Sequence, residues 1–229
     1  MSKIFTKILI LQRPKIFFVS NRPLKKGGAL KDFDIWYVEN KNGQWSEPQN
    51  AGTVINTEAD EFYPAVTKSG NIYYTAAYPD AKGKEDIYVS EWKDGAWQKP
   101  YSLPDSVNSK TYEFNAYISP DEDIILFSSQ GREDDMGGGD LYISVKDKNN
   151  NWRKAVHLPA PVNSPRLDYC PFISFDKKTF YFTSNRSIVQ RQYEPPLTIK
   201  QLTHLLEQRL NGKGNIYTMD EDKIVKLAY

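Results

Sequence analysis

The chain is poor in the residues from which most reaction sites are made. It has one cysteine, Cys170, and two histidines, His157 and His204, in 229 residues. An internal disulfide is therefore excluded, as are zinc sites built from several cysteines. Neither histidine lies in a His-Glu-x-x-His pattern, and no Gly-x-Ser-x-Gly or phosphate-binding loop is present. Charge of one sign is missing too. With 30 Lys+Arg against 29 Asp+Glu, the net charge of +1 leaves no basic footprint for nucleic acid or anionic lipid. No run approaches the ~18–20 apolar residues of a membrane-spanning helix, so no membrane insertion is expected. The apolar start, Ile4 to Leu11, is broken by Lys7 and ends at Gln12-Arg13-Pro14 with no small-residue cleavage site, so it does not read as an export signal. Cys170, between Tyr169 and Pro171 in an apolar stretch, reads as a small buried hydrophobe.

What is abundant is aromatic: 15 Tyr, 11 Phe and 5 Trp, a composition suited to strands. The chain also repeats itself. Asp34-Ile35-Trp36-Tyr37-Val38 recurs as Asp86-Ile87-Tyr88-Val89-Ser90 and as Asp140-Leu141-Tyr142-Ile143-Ser144, with a weaker copy at Asn215-Ile216-Tyr217-Thr218-Met219. Trp45, Trp97 and Trp152 keep the same beat, as do Asn56, Asn108 and Asn163, each followed five residues on by Glu61, Glu113 or Asp168. Several landmarks in one register, about 52 residues apart, mark a repeat architecture.

Each copy reads as four short strands. The first covers 62–67, 114–119 and 169–174, and the second 15–20, 71–75, 124–128 and 179–184. The third is the Asp-Ile-Tyr segment, and the fourth follows a turn such as Asn42-Gly43 or Asp94-Gly95. Four strands per period near 50 predict an all-β fold, a β-propeller of about four recognisable blades, incomplete or open at its edge. Residues 1–14 form an atypical N-terminal segment. The blades run approximately 15–60, 61–112, 113–167 and 168–229. The last copy lacks its Trp turn, offers 222–227 as a fourth strand, and carries an insert at 198–210 with helical spacing. Thr198 can cap that helix, and Leu202, Leu205, Leu206 and Leu210 are expected to cover a propeller face or edge. The first copy lacks a first strand, so either residues 3–11 supply a makeshift one or an edge is left open to self-association.

The stretch Ile118-Ser119-Pro120-Asp121-Glu122, then Leu126-Phe127-Ser128-Ser129 and Gly139-Asp140-Leu141-Tyr142, resembles the TolB-type, WD-like propeller repeat family. Phe18-Val19-Ser20-Asn21-Arg22 and Phe182-Thr183-Ser184-Asn185-Arg186 resemble its Phe-x-Ser-x-Arg strand end. The resemblance spans residue 15 to the C-terminus and implies fold. Members are often exported to the periplasm or cell envelope, which this chain's own residues do not decide.

Scaffold residues recur in every copy, whereas catalytic residues occur once. By that logic Asp34, Asp86, Asp140, the three tryptophans, the three asparagines, Arg22, Arg132 and Arg186 are structural. An Arg–Asp or Asp–backbone brace is expected within each blade. Glu133 to Asp140 is the densest acidic stretch. Asp134, Asp135 and backbone carbonyls there could serve a hard cation, and the plainer reading is a solvated loop. No cofactor is implied. The expected function is a non-catalytic binding module for a protein, peptide or glycan. The alternative is a glycosidase or polysaccharide lyase on the same scaffold. Non-repeating polar residues converging at one end of the axis would favour the enzyme, and exposed aromatics on one face the binding module.

Overall fold

The computed structural model describes residues 4–5, 15–190 and 192–228. They form four antiparallel blades in a propeller arrangement. The first blade contains β1 (Ile4–Phe5), β2 (Lys15–Ser20) and β3 (Asp34–Lys41), with β4 (Gln44–Trp45) and β5 (Gln49–Asn50) both pairing with β3. The second contains β6 (Glu61–Val66), β7 (Ile72–Ala76) and β8 (Asp86–Ser90). Its hairpin β9 (Trp92–Lys93) and β10 (Ala96–Trp97) precedes the outer strand β11 (Tyr101–Ser102). The third runs through β12 (Tyr112–Ile118), β13 (Ile124–Gln130), β14 (Asp140–Val145) and β15 (Val156–His157). The fourth has β16 (Asp168–Ile173), β17 (Thr179–Ser184) and β18 (Asn215–Asp220). Helix α1 (Ile199–Glu207) is inserted before β18, and α2 (Glu221–Ala228) follows it.

The turns follow from local chemistry. Asn42-Gly43 and Asp94-Gly95 both take positive φ at both residues, the geometry that matches strand twist in two-residue hairpins. Side chains alternate along each strand, and both faces are buried. From β7, Ile72, Tyr74 and Ala76 enter the cluster shared with the first blade, whereas Tyr73 enters the one shared with the third. From β13, Ile125 and Phe127 face the second blade and Leu126 faces the fourth. This double burial explains why the strands read as continuous apolar runs. Strands β6, β12 and β16 contact one another from blade to blade and so line the axis. One backbone bond repeats at each junction: the amides of Glu61, Glu113 and Asp168 donate to Phe33, Glu85 and Gly139 carbonyls of the preceding blade. The loop before Glu85 passes so close that a Cβ on Gly83 would lie 2.0 Å from the Thr111 carbonyl oxygen.

Three expectations need correction. Residues 222–227 are helical within α2, not a fourth strand. Glu221 and Asp222 lie in its first turn, Lys226 pairs with Asp222 one turn back, and Ile224 is buried in the core beside the fourth blade. Helix α1 forms with a capping box between Thr198 and Gln201, but its leucine stripe covers nothing. Leu202 and Leu206 are exposed, and Leu205 and Leu210 are only half-buried. Helical spacing fixed the element and not its docking. Residues 3–11 do supply a makeshift strand, as one of the two expectations had it: Ile4 and Phe5 pair along β2, with Ile4 opposite Ser20, and the remainder lies outside the described residues.

The third correction concerns the tryptophans, which the repeat places in the turn entering a fourth strand and leads one to expect packed on the next blade. All three sit in the hairpin leaving the third strand, but they turn toward the preceding blade, since one register places one hairpin position on one face. Trp97 packs on Phe17 and Tyr37 of the first blade, at ring distances of 6.0 and 6.4 Å. Trp152 packs on the cluster between the second and third blades. Trp45 has no described blade on that side and is 50% exposed. Trp97→Ala is therefore expected to lower unfolding free energy by about 2–4 kcal/mol, and Trp45→Ala by less than about 1. Urea denaturation of the two variants checks this, and equal losses would contradict the packing.

Candidate functional site

The repeated polar residues form the same network in successive blades. Each asparagine clasps the backbone of the third strand with both ends of its amide. Asn56 accepts from the Ile35 amide and donates to its carbonyl at 2.8 and 2.9 Å, Asn108 does so at Ile87 and Asn163 at Leu141. Asp34, Asp86 and Asp140 are buried beside them. A middle residue bridges each pair: Asn50, Ser102 or His157. The Asp140–His157–Asn163 chain has the look of a reactive triad, but its position is filled by Asn50 and Ser102 in the other copies. Its geometry is that of the scaffold.

The arginines do not pair with Asp34, Asp86 or Asp140. Arg132 pairs with Glu113 at 2.8 Å, and Arg186 with Asp168 at 3.1 Å. Each guanidinium also donates to a backbone carbonyl, of Val107 or Val162, and lies over two stacked rings. The brace is split in the first two blades. Arg22 lies over Phe18 and Trp36 with no carboxylate partner among the described residues, and the register places Ile4 where the acid would stand. In the second blade Glu61 has its acid in place, but Tyr78 occupies the arginine position. Asp134 accepts from the Tyr142 hydroxyl, and Asp135 from the amides of Gly131 and Gly137, so both carboxylates organise their own loop. Among the described residues no group of three or more His, Cys, Asp or Glu could hold a metal ion.

A different set converges at the axis, where β6, β12 and β16 begin. Each strand breaks register with its neighbour after two or three residues. At each break one non-glycine residue is left-handed: Tyr63 at φ 53°, Asn115 at 54° and Cys170 at 52°. A bulge with this conformation re-aims a side chain and costs on the order of 1–3 kcal/mol. The three side chains meet. The Asn115 amide nitrogen lies 2.6 Å from the Cys170 sulfur, and the Tyr63 hydroxyl lies beside both. Asn115 is 2% exposed, and its carbonyl oxygen has no partner. Cys170 is thus a half-buried thiol at the axis rather than a core hydrophobe; the bulge removes it from the strand's alternation.

The surroundings are aromatic with few charges. Tyr112 stacks on Phe114 at 4.6 Å, and its hydroxyl lies near Glu85. Burial pushes the Glu85 carboxyl up, the Tyr112 hydroxyl opposes this, and the Asp60 charge adds to it. Burial also raises Tyr112 to about 12. Sequence reading missed Tyr63 and Asn115 because attention to repeated residues passes over a repeated position with changing identity. The available signal was the position two residues after each repeated acid, Tyr63 after Glu61, Asn115 after Glu113 and Cys170 after Asp168.

No protein-family model matches the chain, and no curated protein matches it in sequence. Among solved structures it is similar to a putative TolB from Agrobacterium tumefaciens, at 13% identity and TM-score 0.51, over 90% of this chain and 58% of that one. It is also similar to TolB from Acinetobacter baumannii, at 18% identity and TM-score 0.44, over 67% of this chain and 32% of that one. An alpha-L-arabinofuranosidase from Lactobacillus brevis matches at 13% identity and TM-score 0.48, over 95% and 72%. The chain thus spans about a third and somewhat over half of the two TolB chains. At these identities the likeness is one of fold, and by fold the chain is a β-propeller of the kind that TolB-type proteins share.

Proposed function

We propose that this propeller is a non-catalytic binding module that takes a peptide, protein segment or glycan at the axial mouth ringed by Tyr63, Asn115 and Cys170. One observation carries the reading. The clasping asparagines and the aspartates beside them keep their residue types from blade to blade, whereas the left-handed axial position differs in every copy, and there Asn115 meets Cys170 with Tyr63 beside them. Aromatic walls with a few polar groups, among them the unpartnered Asn115 carbonyl, suit a ligand held by stacking and directed hydrogen bonds.

Convergence of non-repeating polar residues was also the mark set for an enzyme, and it keeps that reading in play. A glycosidase needs two carboxylates flanking one bond. Glu113 and Asp168 are tied to arginines, and Asp34, Asp86 and Asp140 to the networks above. Half-buried Glu85, with its raised carboxyl near Asp60, is the acid that reading would use.

The test is a screen of immobilised peptides and oligosaccharides with wild type and Tyr63→Ala. The expected result is at least one ligand whose affinity falls tenfold or more in the variant and whose binding shields Cys170 from alkylation. Ligands that bind both proteins equally and leave Cys170 reactive would overturn the proposal. Turnover of a bound oligosaccharide that is lost in Glu85→Gln would replace it with the enzymatic reading.

A further inference from the structure

The repeat offers an internal comparison that isolates a missing cation. In the third blade, the Arg132 guanidinium joins Glu113, the Val107 carbonyl and the stacked rings of Phe127 and Tyr142. In the fourth, Arg186 joins Asp168, the Val162 carbonyl and the rings of Phe182 and Tyr217. The second blade supplies every partner of that cation. Its carboxylate is Glu61, fully buried; its carbonyl is Ile55; its stacked rings are Tyr74 and Tyr88, 6.3 Å apart. The guanidinium itself is absent, and Tyr78 stands in its place. The Tyr78 hydroxyl lies 2.7 Å from the Ile55 carbonyl and 2.9 Å from one Glu61 oxygen. A phenol has one proton to donate, so it cannot satisfy both acceptors when Glu61 is ionised. The second Glu61 oxygen is buried without any partner.

Tyr78 is also the wall of a cleft of about 920 Å³ between the first two blades, lined further by Tyr88, Thr57, Glu58, Asp80 and Lys99. The side chain that blocks the carboxylate therefore has open space beside it. We propose that this cleft is a second binding site, separate from the axial mouth, in which a guanidinium group of a ligand displaces the Tyr78 hydroxyl and pairs with Glu61. Tyr74 and Tyr88 give that cation ring faces, and Glu58 and Asp80 favour its approach. Lys99 on the exposed wall disfavours a run of basic groups, so the site takes one guanidinium, such as a single arginine side chain. The titratable groups against Glu61 are Tyr78 and Tyr74 of its own blade and Asp34 of the first; the nearby cation, Lys31, is tied to Asp34 and to the Thr57 carbonyl, not to Glu61. None of the groups against Glu61 supplies positive charge.

The probe is ethylguanidinium chloride, titrated against the full chain by tyrosine-resolved NMR, with potassium chloride at equal ionic strength as control. Wild type is expected to bind more tightly at pH 8 than at pH 5.5. Tyr78→Ala, which vacates the place, should bind at least tenfold more tightly than wild type. Glu61→Gln should weaken binding at least tenfold, and Tyr78→Arg, which fills the place from within, should abolish it. Tyr78→Phe, which keeps the ring and removes only the hydroxyl, guards against misfolding of Tyr78→Ala and should bind more tightly than wild type. Equal binding by Glu61→Gln and wild type would overturn the proposal, as would absence of binding in folded Tyr78→Ala and Tyr78→Phe. Neither result bears on the axial mouth, whose test uses other residues.

Discussion

Replacing Arg132 by methionine is expected to lower unfolding free energy by about 3–5 kcal/mol, because it leaves the buried Glu113 carboxylate without its cation. Ser109 and Ser129 hydroxyls still donate to Glu113, but they carry no charge. Arg132→Lys restores a charge without the fork that reaches Ser129, Glu113 and Val107 together, so an intermediate loss is expected. Arg22 provides the control. It lies over Phe18 and Trp36 without a described carboxylate partner, and Arg22→Met should cost less than about 1 kcal/mol. Urea denaturation of the three variants decides the matter. Equal losses at Arg22 and Arg132 would show that ring stacking, rather than the carboxylate, sets the energy.

The second large effect is a pH dependence centred on the second blade. The Glu61 carboxyl is pushed up from 4.5 to about 7, by burial above all; hydrogen bonds from Thr57 and Tyr78 oppose the shift, and the Asp34 charge adds to it. The folded chain therefore holds this proton more tightly than the unfolded chain. The group's contribution is fully present below about 4.5 and is lost as pH rises through about 7. Between pH 5 and pH 8 it should remove on the order of 2 kcal/mol of stability, after a discount for solvent screening. Asp34, Asp140 and Glu85, also raised by burial, contribute with the same sign. The difference between wild type and Glu61→Gln isolates Glu61. Urea midpoints at pH 5 and pH 8 should diverge in wild type and draw together in Glu61→Gln. Tyr78→Arg should hold its midpoint at pH 8 by keeping the acid ionised beside a cation. An unchanged slope in Glu61→Gln would refute the assignment.

The blades were legible because each landmark answers a local demand that recurs. Asn-Gly and Asp-Gly mark hairpins by φ alone, and Asn56, Asn108 and Asn163 are spaced by the distance from a third strand to the loop that clasps it. Residues 222–227 misled because a six-residue stretch with three apolar positions cannot separate a strand from a helix; the acidic first turn decided for the helix. The arginine partners were not legible. Glu113 lies on β12 and Arg132 just beyond the end of β13, its partner strand, yet Asp140 is nearer in sequence, and only register shows which carboxylate faces the guanidinium. The axial mouth was hidden for another reason. A bulge changes which way a residue points without leaving a mark in hydrophobic periodicity, so Cys170 read as core and Asn115 as nothing at all.

The far face of the fourth blade sets how the molecule comes apart. Ile216 is 75% exposed and Tyr181 36%, although the equivalent faces of the earlier blades are covered by a neighbour. In a stack whose units touch only adjacent units, each blade is held by its own ladder and by the interfaces on either side. The third blade has both interfaces, and the fourth has one well-packed face and a helix in place of its outer strand. Strands β16 to β18, with α2 behind them, therefore form the unit that opens most cheaply from the native state. The amides of β12 to β14 are released only when the whole stack gives way.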